Sequence, residues 1–242
     1  MPQILLLTFI GYGTGAIGFV AGALFSGLAD KFSKRLHGAL MGFTAGLLIA
    51  FVCFEMLPVS FENWGLYRGT IALGAGVACA MLLEGKIIAG QGRRYSGNKH
   101  IATGIFIGAG LAIHNIPEGM AIGAMLNCSL YSGLSMAAIV AVHCFPEALA
   151  VMAPLRQGGL SVQKLLVVAL LMGVPMAAGT AIGVGFSAML PQFVYVCLAF
   201  ASGVMMYIAC GEILPDAKEI WKGRTAGLAA VLGFALGIFI TA

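Results

Sequence analysis

Two short stretches of this 242-residue sequence carry side chains that could do chemistry: His114-Asn115-Ile116-Pro117-Glu118-Gly119 and His143-Cys144-Phe145-Pro146-Glu147-Ala148. Both read His-x-x-Pro-Glu-small. Residues four apart on a helix share a face, so His114 lies over Glu118 and His143 over Glu147. Each pair aims one imidazole and one carboxylate in the same direction, and two such faces turned toward each other would form a cluster of two His and two Glu. Neutral imidazole and carboxylate suit zinc and related divalent ions, and four of them can supply a tetrahedral shell at about 2.0–2.2 Å. Two carboxylates also offset the 2+ charge, which lowers the cost of carrying the ion through a low dielectric.

The elements that would position these groups follow from composition. The chain is 60 % hydrophobic and 9 % charged, where a soluble domain carries roughly 25 % charged residues. An ionisable cluster in such a chain needs a functional explanation, because charge in hydrocarbon is costly. Apolar stretches of the roughly 20 residues a bilayer requires fall at about 4–28, 38–58, 66–88, 101–126, 132–153, 164–187, 192–214 and 225–242. The expectation is an all-α integral membrane protein of eight transmembrane helices in a single transmembrane domain, 1–242, with both motifs near the membrane midplane on spans four and five. Met1-Pro2-Gln3 carries no basic side chain and the apolar run after it is long, so no cleavable signal is expected. The six cysteines show no C-x-x-C spacing and say little about redox compartment.

Charge placement gives an orientation. With both termini outside, the loops at 29–37, 86–100, 154–164 and 215–224 face the cytoplasm; they hold twelve of the thirteen basic residues and leave Arg68 alone outside. The positive-inside rule favours that arrangement, with the cell (inner) membrane as the expected location. The net charge of +4 then reflects topology and not a nucleic-acid partner.

A second echo lies elsewhere. Span two ends in Glu55-Met56-Leu57-Pro58 and span seven in Glu212-Ile213-Leu214-Pro215, on helices of opposite direction. This suggests an inverted repeat of spans 1–3 and 6–8 around spans 4–5, an arrangement that transporters use to place a site near the midplane. Pro117 and Pro146 cannot donate to the carbonyls of Ile113 and Val142, so each motif combines ligands with a local opening of its helix.

The paired HNIPEG and HCFPEA motifs, the eight-span layout and the EILPDA end of span seven resemble the ZIP family of divalent-metal transporters, over essentially the whole chain. The resemblance implies a 3+2+3 fold, a main transport site of His114, Glu118, His143 and Glu147, and movement of zinc into the cytoplasm. Iron, manganese and cadmium are further candidate cargoes, and no prosthetic group is expected. Binuclear members of the family add a second site from the residue after each His and from a carboxylate on span six. Here those positions are Asn115, Cys144 and, before Pro175, Val174; one principal site is expected, with Asn115 and Cys144 as auxiliary metal contacts.

The remaining acids suggest a path, with Glu55 and Glu62 toward the entrance, Glu212, Asp216 and Glu219 toward the exit, and Glu84 at the inner end of span three. His37 and His100 flank basic loops and read as surface residues. The small-residue face Gly74-Ala75-Gly76 on span three offers a homodimer contact within the lipid bilayer. Two other classes fit the same residues less well. A membrane-embedded zinc hydrolase would need an open coordination position and a free general base, and nothing here resembles HExxH; a proton or non-metal solute transporter would use the His/Glu pairs as a relay.

Overall fold

The computed structural model describes residues 2–27, 33–94, 98–186 and 191–241, apart from the side chains of residues 2, 85–94, 99, 128, 186, 191 and 193. Lys31, and the side chains of Lys86, Arg93, Arg94 and Lys99 used in the charge count, lie outside the described residues. Among the described residues there is no strand, and eight helical rods occupy the eight apolar stretches. They are α1 (Pro2–Ser26), α2 (Lys34–Phe51) running through a π-helical turn at Val52–Met56 into α3 (Leu57–Trp64), α4 (Leu66–Arg94), α5 (Lys99–Cys128) and α6 (Leu130–Gln157). After these come α7 (Val162–Phe186), α8 (Pro191–Tyr207) running through a second π-helical turn at Ile208–Ile213 into α9 (Leu214–Ile220), and α10 (Thr225–Thr241). Seven rods are long and apolar enough to cross a membrane, and α10, at 17 residues, is shorter. The chain is an integral membrane protein.

Several rods begin before the apolar residues do, and their caps explain it. Ser33 accepts from the Leu36 N–H at 3.2 Å, Asn98 Oδ1 from the Ile101 N–H at 3.4 Å, and Ser129 from the Ser132 N–H at 3.3 Å. Each satisfies an otherwise orphaned donor in the first turn and so extends α2, α5 or α6 toward the membrane surface.

The two π-helical turns fall on the second sequence echo. Pro58 and Pro215 have no N–H, and their rings would press on the carbonyls four residues earlier, at Phe54 and Gly211. The wider turn accommodates the ring: the Leu57 N–H bonds Val52 O and the Leu214 N–H bonds Ala209 O, a five-residue step each time. In register the echo is longer than four residues, because Cys53 and Cys210 stand two before Glu55 and Glu212. The freed backbone expected at Pro117 and Pro146 leaves no such mark, since α5 and α6 run helically through both.

The rods pack as two groups. α1, α5, α6 and α7 lie against one another, while α10 packs on α2, α4 and α3 on α8, and α9 on α2. The groups meet chiefly where α5 crosses α8 and α2 crosses α6. Within the first group, α5 and α7 touch backbone to backbone. A Cβ at Gly119 would come within 2.2 Å of Met176 O, and one at Gly179 within 2.1 Å of Ile116 O, so only glycine allows this approach. The face offered for dimer contact is divided: Gly76 is used inside the chain, where a Cβ would meet Phe200 O at 2.0 Å, while Gly74 faces open space.

Candidate metal site

α5 presents His114 and Glu118 one turn apart, α6 presents His143 and Glu147, and the two faces meet. Glu118 Oε1 lies 3.1 Å from His114 Nε2 and 2.7 Å from His143 Nε2, and Glu147 Oε1 lies 3.4 Å from His114 Nε2. One donor atom from each of the four residues falls within 4.8 Å of all the others. Four ligands at about 2.1 Å around one ion stand about 3.4 Å apart in a tetrahedron, so a small outward movement of the Glu118–His143 contact makes room for a cation. All four side chains are buried. Both oxygens of Glu147, Oε2 of Glu118 and both ring nitrogens of His114 have no hydrogen-bond partner; the His114–Glu147 contact is close but not aligned as a bond. Buried polar atoms are normally paired, and a divalent ion is the group this donor set suits.

Neighbouring side chains hold the cluster. The Phe51 ring of α2 packs against the His143 imidazole, centroids 4.8 Å apart. Asn115 Nδ2 donates to Met172 O of α7 at 3.3 Å, while its Oδ1 is buried without a partner. Cys144 is buried where a Cβ on Gly18 of α1 would meet its own Cβ at 2.4 Å, so it packs into the notch that this glycine leaves. Val174 is exposed on α7.

Two cavities lie along the contact between the helix groups. One, of about 580 Å³, has Glu118 and His143 in its wall and extends past Phe51 to Glu55, Val59 and Val194. The second, of about 470 Å³, lies at the end where α2 and α5 begin and is lined by His37, His100, Gln157, Asp216 and Glu219. None of the four clustered residues lines it, and Leu48, Ile107, Leu111 and Ile208 are fully buried in the core. Of the expected path residues, Glu55 lines the first cavity and Asp216 the second, whereas Glu62 is exposed on α3 and Glu212 half-buried in its π turn. Glu84 accepts a hydrogen bond from the Tyr207 hydroxyl, tying α4 to α8.

His37 and His100, expected as surface residues, are half-buried and exposed respectively; what the sequence did not show is that they meet. They come from different helices yet line one cavity with two acids, and Gln157 Nε2 lies 2.7 Å from His37 Nε2. The available signal was that each stands in the first turn of a rod entering from the same, basic end.

Fold and cluster together define a helical integral membrane protein with a buried donor set suited to a divalent cation. Comparison with known proteins narrows the class. A family model described as ZIP Zinc transporter matches residues 88–242, a region containing both motifs, and the chain belongs to that family. It is 30 % identical to the zinc transporter ZupT of Corynebacterium glutamicum, with 96 % of this chain and 94 % of that one aligned. It is 28 % identical to the zinc transporter ZIPB of Bordetella bronchiseptica over 96 % of this chain and 81 % of that one. ZupT of Shigella dysenteriae is 29 % identical over 100 % of this chain and 99 % of its own. Proteins of this family are transporters and not enzymes, and the chain is a metal transporter.

Proposed function

We propose that this protein carries zinc into the cytoplasm through one principal site formed by His114, Glu118, His143 and Glu147. The observation that carries the reading is the cluster itself, with two imidazoles and two carboxylates from adjacent helices, buried, mutually within reach and poorly hydrogen-bonded. The cavity that ends on Glu118 and His143 supplies its access. With the basic loops in the cytoplasm and both termini outside the cell membrane, that cavity opens outward, and Glu55 in its wall is the acid the ion passes before Glu118. The ion exchanges water for Nε2 of the two histidines and oxygens of the two glutamates, and its charge is balanced by the carboxylates.

Release requires the core between the site and the inner cavity to open. The grouping of α1, α5, α6 and α7 against the other rods supports a movement of one group past the other, after which Asp216, with Glu219, His37 and His100 beside it, receives the ion. Glu62 and Glu212 are assigned to the outer and inner approaches. The shared π turns, each ahead of Leu-Pro and carrying Cys-x-Glu in register, support a 3+2+3 arrangement with an inverted repeat of rods 1–3 and 6–8. Iron, manganese and cadmium fit the same donors. Asn115 and Cys144 act as auxiliary contacts through small side-chain movements, and a homodimer would use the open part of α4 around Gly74.

Radioactive zinc flux into proteoliposomes tests the site. Wild type transports, and Glu118→Ala and His143→Ala each lose uptake on the order of 100-fold, as loss of a direct ligand should at least match the cost of losing its supporting partners. Unchanged flux in both variants overturns the assignment.

A further inference from the structure

The cavity leading to the metal cluster is far larger than its cargo. Six waters around an ion occupy about 180 Å³ at about 30 Å³ each, against about 580 Å³ here. That volume lies in the range of roughly 300–1,000 Å³ found for sites that take drug-sized molecules. Its walls are also more apolar than passage of a hydrated ion requires. Met56, Met125, Met136 and Met205 line it together with the ring of Tyr195, and flexible, polarisable thioethers repack around apolar ligands of different shape. Charge on the wall comes from acids: Glu55, whose Oε2 is buried without a partner, stands along it, and Glu118 closes its end.

We propose that this vestibule is a binding site for a hydrophobic organic cation of drug size, its apolar body against the methionines and its positive end beside Glu55. Tyr195, in the same wall, brings an aromatic ring of the kind that attracts a quaternary ammonium group. Such a ligand occupies the approach to His143 and Glu118 and excludes the metal. Binding follows from the cavity alone; exclusion of zinc rests on the proposed transport site.

The test is equilibrium binding of radiolabelled dibenzyldimethylammonium to the purified full-length chain in detergent, beside uncharged N-benzylbenzamide, which presents a similar apolar body. The quaternary cation is expected to bind saturably at one site per chain and the amide about tenfold more weakly or worse, with about tenfold loss of cation binding in Glu55→Gln. The double substitution Val59→Ser, Val194→Ser removes apolar wall away from the metal cluster; it is expected to weaken cation binding about tenfold while zinc uptake stays within about twofold. No saturable binding, equal binding of the amide, or binding unchanged in the Val59/Val194 variant overturns the proposal. Zinc is expected to displace the cation competitively. Saturable, variant-sensitive binding that zinc does not displace upholds the cation site and contradicts its exclusion of the metal.

Discussion

In α5 and α6 a proline stands immediately before the glutamate and the helix runs through it, whereas in the α2/α3 and α8/α9 rods proline follows the glutamate by three residues and a π turn opens ahead of it. The consequence is one of register. An uninterrupted α-helix keeps His114 over Glu118 and His143 over Glu147, so each rod delivers two donors to one point. The π turn inserts an extra residue per turn and breaks that four-residue spacing. Glu55 and Glu212 are half-buried, and no histidine stands three or four residues from either along its rod. The same residue types, proline and glutamate, thus go with an aligned His/Glu donor pair in one arrangement and with a carboxyl on a widened backbone in the other. The first suits holding an ion and the second suits passing it.

Substitution separates the two most strongly. His114→Ala and Glu147→Ala are expected to reduce zinc uptake on the order of 100-fold, and Glu55→Gln or Glu212→Gln by only a few-fold, expressed in KM at low zinc, as the proposed role of gathering the ion requires. Equal losses at both kinds of glutamate would erase the distinction. Acid gives the next largest effect. Metal binds the deprotonated donors, so protons compete as pH falls, and uptake from pH 7 to pH 5 should drop by about tenfold or more. The Glu55→Gln protein should follow the same profile, since the competing donors are on α5 and α6; a flattened profile in that variant would move the titrating group to the vestibule.

Packing supplies a smaller, thermodynamic contrast. Gly119→Ala places a Cβ 2.2 Å from Met176 O, an overpacking that costs about 1–3 kcal/mol. Gly74→Ala meets nothing within 4 Å and should stay within about 0.5 kcal/mol of wild type. Thermal unfolding of the two variants in detergent reads the difference, and equal melting would mean that α5 and α7 can separate freely. The smallest effect is expected for Pro58→Ala, which restores an N–H and lets the π turn relax; zinc uptake should change by less than about twofold, because that turn carries no member of the donor cluster.

Much of this was legible in the sequence. Hydropathy marked the eight rods because hydrocarbon admits only long apolar helices with internally satisfied backbones, and the repeated His-x-x-Pro-Glu by itself placed two donor pairs on helix faces. Helix ends were less legible, since Ser33, Asn98 and Ser129 extend α2, α5 and α6 by capping, a local hydrogen bond that hydropathy does not register. The π turns were also hidden: proline signals a disturbed ladder, but whether the helix kinks, widens or continues depends on what packs around it, and Pro117 and Pro58 have different outcomes. His37 and His100 were read as separate surface residues because only tertiary contact shows that α2 and α5 start beside the same cavity. For the same reason the glycine at 76 read as a surface available to a second copy, although α8 covers it.

Anomalous diffraction at the zinc edge from crystals of the full-length chain grown with zinc tests the central claim most directly. The account predicts one dominant peak about 2.0–2.2 Å from Nε2 of His114 and His143 and from an oxygen each of Glu118 and Glu147. A dominant peak at Glu55 or Asp216 with none among those four residues, or a second peak of equal strength between Asn115 and Cys144, would contradict it.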